Sequence, residues 1–374
     1  MVALPLLVLV AGSILYCLLT VVAAVRYRRV RPAKIESFPP LSILKPLAGA
    51  DDGLEENLRS FFEQSYPSFE ILFAVRSPLD AAVPVVERLQ EHYPRVRSRL
   101  LVTGEPPYSN AKVYSLHRML ALARNDVAVM SDSDVRVAPD LLSAIAAEFQ
   151  DEAVGLVTCP YRAVPGRSFW STLEAVGLNT GFMAGVLVAR LLVGMKFALG
   201  PTIAARRKAL SDIGGFDEVK DYLAEDFVMG KLVAAKGYRV ILSSSVIEHR
   251  IGAQSFRENL DHRLRWCRST RRSRPWGYAG EIFTHMLPLG LVMVAVHPAW
   301  WPWFVAAVAM RATAAWATAV YALHDPLTRR RWFLVPLEDL ANFAVWIAGF
   351  FGNTIWWRGR KYVLLRDGRF EIAP

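Results

Sequence analysis

The chain has 374 residues, 53% of them hydrophobic, and a formal net charge of +10. That hydrophobic share exceeds what a soluble domain usually carries, and the excess sits at the two ends. This excludes a purely soluble globular protein and leaves room for a sizeable domain plus membrane segments. The basic residues cluster beside apolar stretches, at Arg26 to Arg31, Arg263 to Arg274, Arg329 to Arg331 and Arg358 to Lys361. Their expected partners are therefore anionic headgroups and a nucleotide diphosphate rather than nucleic acid.

Residues 1–25 carry no charge and run directly into Arg26-Tyr27-Arg28-Arg29. A cleaved signal peptide carries its positive charge before the apolar run, so this order predicts a transmembrane anchor over 1–25. Positive charge just after the span places the residues beyond 26 in the cytoplasm. Strand and helix patterns then alternate. Strands are expected over 41–44, 69–75, 100–102 and 127–130, and helices over 54–64, 83–93 and 111–123. Such alternation predicts an α/β domain with a mainly parallel sheet and helices on both faces. Ligands bind these sheets at the carboxyl ends of strands, and both Asp51 and Asp132 fall just past one.

Residues 175–189 are charge-free but short for a bilayer span, which predicts an interfacial or acceptor-lining helix, or a plain core helix. Residues 286–323 are nearly charge-free. Pro298, Pro302, Trp300, Trp301 and Trp303 sit mid-way, so two spanning helices joined by an external loop are expected. Arg311 falls inside the second and should face protein or water. Residues 340–357 form one more apolar stretch. The expected organisation is an anchor (1–25), a cytoplasmic catalytic domain (26–280) with interfacial helices near 175–199 and 255–275, C-terminal membrane helices (281–357) and a tail (358–374). Cys17, Cys159 and Cys267 lack metal-type spacing and read as free thiols in a reducing compartment.

Three carboxylate sites carry the chemistry. Asp132-Ser133-Asp134 puts two carboxylates on one tight turn after an apolar strand, either an exposed turn or a site for Mn²⁺ or Mg²⁺ beside a diphosphate. Asp51 reads either as part of an ordinary turn or as an acceptor for a nucleobase or ribose. Glu225-Asp226 precedes a helix-like run. It reads either as a helix start favoured by the dipole or as a general base that takes the proton of an acceptor hydroxyl. Downstream, Arg265-Trp266 offers a cation for phosphate oxygens and a ring. Arg268, Arg271, Arg272 and Arg274 read as a basic face on anionic lipid. Lys112 opens a helix and either reaches a phosphate or is solvated.

Together these residues resemble the inverting glycosyltransferases with the two-lobed GT-A nucleotide-sugar fold, whose signature is Asp, Asp-x-Asp, Glu-Asp and Gln/Arg-x-x-Arg-Trp. The closer resemblance is to ceramide glucosyltransferases. It is carried by 41–51, Phe61-Phe62-Glu63 to Pro67, Asn110-Ala111-Lys112, Tyr222-Leu223-Ala224-Glu225-Asp226 and Arg265-Trp266, and it covers nearly the whole chain. Glycosyltransferases of bacterial hopanoid biosynthesis share this plan. By resemblance, Asp51 binds the nucleotide, Asp132 and Asp134 serve metal and diphosphate, Asp226 is the base, and Arg265 and Trp266 close over donor and acceptor. Position 262 is His where the family shows Gln or Arg, and Asp134 is present where the ceramide enzymes often lack that carboxylate.

The expected protein is thus a multi-pass glycosyltransferase of the bacterial inner membrane. It moves a hexose, glucose in the first instance, from a UDP-sugar to a ceramide-like lipid on the cytoplasmic face. The rival readings are the same chemistry on a hopanoid or other lipid with UDP-N-acetylglucosamine, and an inactive membrane-anchored scaffold. Intact carboxylates at all three sites argue against decay, and a polysaccharide synthase would need a larger membrane channel.

Overall fold

The alternating strands and helices of the first half build a single sheet. The computed structural model describes residues 3–31, 34–357 and 359–373; Arg358 of the expected terminal basic cluster lies outside them. The chain divides into two compact units. One comprises Arg31–Tyr161 and Met195–Arg250, and the other the described residues up to Val30, Arg162–Gly194 and those from Ile251 onward.

In chain order the strands are β1 (Leu41–Pro46), β2 (Phe69–Val75), β3 (Arg97–Val102), β4 (Val127–Ser131), β5 (Val135–Arg136), β6 (Val154–Thr158), β7 (Tyr161–Pro165), β8 (Thr202–Arg206), β9 (Arg239–Leu242) and β10 (Ile247–Ile251). Seven of them form one sheet in the order β3-β2-β1-β4-β8-β6-β9. β1 pairs in parallel with β2 and β4, and β2 with β3; β8 runs antiparallel between β4 and β6. The sheet is therefore mainly parallel, as the alternation implies, with one antiparallel strand. The alanines of Thr202-Ile203-Ala204-Ala205 favour helix locally. Their small side chains are nonetheless buried in mid-sheet, where pairing on both edges outweighs propensity.

The expected helices appear as Leu54–Phe62, Val83–His92 and Ala111–Leu122. Leu54, Leu58, Phe61 and Phe62 are buried on one face of the first, which is the spacing of a helix packed on a sheet. In the register of the parallel strands, Leu44 faces Leu72 on one side and Met130 on the other. The carboxyl ends of β1 and β4 therefore lie side by side, and the segments carrying Asp51 and Asp132 leave from one edge of the sheet.

The other unit is built on apolar helices. Leu4–Arg28, Phe169–Val193 and Pro298–Ala322 each run 25 residues and are long and apolar enough to cross a membrane. Helices of this length and composition suit a membrane protein. The run over 175–189 proves longer than its charge-free part. Its helix begins at Phe169, where the Ser168 side chain accepts from the Ser171 N–H, and it takes in the buried Glu174. Before Pro298, Met286–Val296 is bent by 61° against Pro275–Thr284. The stretch 340–357 is not one helix. Val335–Gly349 stops after 15 residues, Gly352 turns the chain at φ 73°, and Thr354–Trp357 joins a small antiparallel sheet with Arg360–Leu364 and Phe370–Ile372.

Two arginines expected on lipid have protein partners. Arg268 donates to the Phe351 and Thr354 carbonyls at 3.1 and 2.7 Å, and Arg271 to those of Phe350 and Gly352. These carbonyls follow the C-terminal end of Val335–Gly349, where cations are favoured.

Candidate active site

The turn after β4 is held mainly through its backbone. The Asp132 N–H donates to the Pro201 carbonyl at 3.1 Å and the Arg250 N–H to the Asp134 carbonyl at 2.7 Å. Asn57 Nδ2 donates to the Ser133 carbonyl at 3.3 Å. Lys45, the one charged residue of β1, is fully buried, with Nζ 3.9 Å from the centre of the Phe61 ring. It donates to the Ser131 hydroxyl and the Asp132 carbonyl. Burial pushes its amine down to about 7, against the pull of Asp132 and Asp134.

With the backbone so fixed, the two carboxylates meet different partners. Lys112 Nζ lies 2.8 Å from Asp132 Oδ1 and 2.9 Å from Glu225 Oε1. Burial raises the Asp132 carboxyl, and the Lys112 charge opposes that rise. His249 Nε2, on β10, lies 3.3 Å from Asp134 Oδ2. Burial would lift Asp134 as well, but His249, Lys45 and Lys112 outweigh it and hold this carboxyl at about 2. The other oxygen, Asp134 Oδ1, is buried and accepts no hydrogen bond among the described residues.

Glu225 and Asp226 open the helix Glu225–Ala235, whose N-cap, Ala224, supplies no side-chain bond. The loop before it is tied by Asn110. The Asn110 Oδ1 accepts from the Val113 N–H, capping the helix that carries Lys112, while Nδ2 donates to the Tyr222 carbonyl at 2.9 Å. One buried side chain thus sets both Lys112 and the Glu-Asp pair. Gly200 stands beside Asp226: a Cβ there would come 3.0 Å from Oδ2. Its neighbour Pro201 receives the Asp132 N–H, so the 199–201 segment touches both carboxylate sites. Burial, reinforced by the Glu225 charge and opposed by Lys112, pushes the Asp226 carboxyl up to about 7.

Asp51 is exposed in the loop after β1, and its carbonyl accepts the Leu54 N–H that starts the next helix. That loop turns at Gly49, at φ 77°. The Gly49 N–H donates to both oxygens of Asp80, at 2.9 and 3.2 Å, and Asp80 also accepts from the Ala82 N–H. Arg265 and Trp266 belong to the other unit, on the helix Phe256–Ser273, which starts in a Ser255/Glu258 capping box. The Trp266 ring lies 5.5 Å from that of Phe182, and the Arg265 guanidinium 5.9 Å from the centre of the Trp357 ring.

Among the described residues, no group of three or more His, Cys, Asp or Glu side chains is placed to hold a metal ion. Magnesium-like ions at nucleotide sites take only one or two protein carboxylates and complete their shell with water and substrate phosphate. Two carboxylates on one turn, one with an orphaned buried oxygen, fit that donor set. Asp51, Lys112, Asp132, Asp134 and Asp226 all fall within the sheet unit. Lys45, Asp80 and His249 join them without having been singled out in the sequence, whereas Glu225 stood beside Asp226 in the Glu-Asp pair and Asn110 in the Asn110-Ala111-Lys112 stretch. Lys45 had a signal, as a lone charge inside an apolar strand. His249 had none, because only the pairing of β10 with β5 brings it to Asp134.

The model of glycosyl transferase family 21 matches residues 5–370. Ceramide glucosyltransferase 3 of Caenorhabditis elegans is 26% identical over 93% of this chain and 78% of its own length. Ceramide glucosyltransferase 1 of the same organism is 31% identical over 56% of this chain, a match spanning only 45% of that protein. Among solved structures, the mannosyltransferase PcManGT from Pyrobaculum calidifontis, in complex with GDP-Man and Mn²⁺, has a TM-score of 0.55 at 20% identity, covering 93% of this chain and 99% of that one. The chain belongs to glycosyl transferase family 21 and is a glycosyltransferase with a GT-A fold.

Proposed function

We propose that this family 21 glycosyltransferase moves a hexose, glucose in the first instance, from a UDP-sugar to a hydroxyl of a ceramide-like membrane lipid, with inversion at the anomeric carbon. The observation that carries this reading is Asp226. Its carboxyl sits at about 7, beside the segment that also fixes Asp132. A carboxylate of that proton affinity suits removal of a hydroxyl proton near neutral pH. In the transfer, the acceptor oxygen bonds to the anomeric carbon and the bond from that carbon to the diphosphate oxygen breaks. Asp226 receives the hydroxyl proton, and UDP leaves with the bonding pair.

The remaining roles follow from position and charge. Asp51, exposed at the sheet edge, accepts from the nucleobase or ribose. Lys112 leaves its carboxylate partners for the donor diphosphate. Arg265 and Trp266 close over donor and acceptor. Asp132 and Asp134 would hold Mn²⁺ or Mg²⁺, which when bound neutralises charge on the leaving diphosphate. The relatives' names support a ceramide acceptor, and PcManGT, bound to Mn²⁺, supports the metal. Arg26, Arg28 and Arg29, directly after the first apolar helix, support an anchor over 1–25 and a catalytic region over 26–280 on the cytoplasmic face of a bacterial inner membrane. Residues 281–357 return the chain to the membrane.

The test is incubation of the purified chain with a panel of UDP-sugars, ceramide and a hopanoid alcohol, followed by mass spectrometry of the lipids. Hexosylceramide formed from UDP-glucose is the expected product. An N-acetylhexosamine on the hopanoid would instead establish the second acceptor class, and no lipid product from any donor would overturn the lipid reading.

A further inference from the structure

A second polar group stands in the unit of apolar helices. Glu174 lies in the second turn of Phe169–Gly177 and is only 4% exposed. His262 Nδ1 shares a hydrogen bond with Glu174 Oε1, and Asn259 Nδ2 donates to Glu174 Oε2 at 2.7 Å. A carboxylate that accepts from Nδ1–H holds the neutral imidazole in the tautomer whose Nε2 is a bare lone pair. Nε2 meets no protein partner among the described residues and is not buried; the side chain is 23% exposed. The Trp266 ring stands 5.6 Å from the imidazole, packed with Phe182 against Ala163, Ala175 and Leu178.

A tie between these two helices needs only Nδ1, and Asn259 already supplies a bond to Glu174. What the pair adds is an acceptor nitrogen open to the surface, beside an aromatic ring, where the basic helix Phe256–Ser273 packs on Phe169–Val193, a helix apolar enough to lie in a bilayer. We propose that Glu174 and His262 form a hydroxyl-binding subsite for a membrane amphiphile, in which Nε2 accepts a hydrogen bond from a hydroxyl of the lipid acceptor and Trp266 packs against the adjoining hydrocarbon. This rests on the lipid-acceptor reading above and adds the residues that recognise the polar head. The chemistry also selects. A lone pair backed by a buried carboxylate favours a neutral hydroxyl and repels a phosphate, whereas an arginine at this position could only donate.

The experiment uses the full chain in nanodiscs and measures equilibrium binding of short-chain ceramide, of a hydroxylated triterpenoid and of UDP. His262→Leu should weaken whichever lipid the wild type binds by about tenfold, the effect of one lost hydrogen bond, and leave UDP affinity unchanged. His262→Gln, whose amide oxygen also accepts, should restore most of it. Glu174→Gln should weaken the lipid while UDP again binds normally, which shows that the variant is folded. Unchanged lipid affinity in His262→Leu, or a parallel loss of lipid and UDP, would overturn the subsite while leaving the acceptor reading intact. Binding of neither lipid by the wild type would overturn both.

Discussion

Lys112 Nζ stands 2.8 Å from Asp132 Oδ1, so the first carboxylate of the Asp-Ser-Asp turn is already paired with a cation. The same ammonium reaches Glu225, and it is the main force opposing the rise of the Asp132 carboxyl. Lys112→Met keeps the length and apolar stem but leaves two carboxylates facing each other and removes the cation for the donor. UDP affinity should fall about ten- to a hundredfold, the value of a charge-assisted hydrogen bond. Calorimetric titration with UDP and Mn²⁺ measures it, and Lys112→Arg should recover part of the loss. Unchanged affinity would make the lysine a purely structural bridge.

The Asp226 carboxyl at about 7 predicts an acid limb in the rate. Below that value the group is protonated and cannot accept the hydroxyl proton, so kcat should climb with pH up to about 7 and then level off. Asp226→Asn should lose about a hundred- to ten-thousandfold in rate together with that limb, and still bind UDP. Stability should move the opposite way. The folded-state value lies above the ordinary carboxylate range, so protonation favours the fold, and this contribution is lost as pH rises towards about 7. Asp226→Asn should therefore melt at or above the wild-type temperature at pH 8. If Glu225→Gln abolishes turnover and Asp226→Asn does not, the base is the neighbouring residue.

Metal dependence separates the two carboxylates of the turn from mere loop residues. Exhaustive chelation should stop turnover, and added Mn²⁺ or Mg²⁺ should restore it. Asp132→Ala and Asp134→Ala should each cost on the order of a thousandfold in rate. Circular dichroism should show both variants folded, because the turn is held by backbone bonds to Pro201, Asn57 and Arg250. Full turnover in chelator would refute the metal.

Asp51 and Asp80 should both act on nucleotide binding, one directly and one through the loop. Asp80 fixes the left-handed turn at Gly49 by accepting its N–H with both oxygens. Asp51→Asn should raise the UDP dissociation constant more than it lowers kcat. Asp80→Ala, which frees the turn, should do the same to a smaller degree and in a non-additive way with Asp51→Asn. Fluorescence titration of the single and double variants is the measurement, and strict additivity would mean the two residues act apart.

The strands and helices of the first half were legible because each carried its own period and a turn signal at its end. Asp51, Asp132 and Asp134 stood out because they follow the apolar strands β1 and β4, and Lys112 and Asp226 because each falls at the start of a helix-like run. Partners were not. Nothing local in Ile247-Glu248-His249 announces Asp134, and nothing in Tyr222 announces Asn110, since both meetings depend on pairings distant in sequence. The antiparallel β8 was hidden by its alanines. The span Phe169–Val193 was hidden by Glu174, whose charge interrupts an apolar run in sequence but is satisfied by His262 and Asn259 in the fold.

Arg311 offers the sharpest test of the membrane unit. It lies within the apolar helix Pro298–Ala322, where an unpaired charge is costly, and both it and Asp339 are 7% exposed. Its Nε and Nη2 donate to the two oxygens of Asp339 at 2.8 Å each, joining this helix to Val335–Gly349, and Nη1 reaches the Thr180 carbonyl at 3.4 Å. A bidentate pair of this kind contributes little net stability over an apolar pair of equal volume, but breaking it strands one buried charge. Arg311→Leu and Asp339→Leu should therefore each destabilise by about 3–5 kcal/mol. The double Leu variant should recover most of that loss, giving a large coupling in a double-mutant cycle. Thermal unfolding of the purified chain in detergent measures all four proteins. Equal and additive losses would show that the two side chains stabilise the helices independently, and that the ion pair is incidental to how they pack.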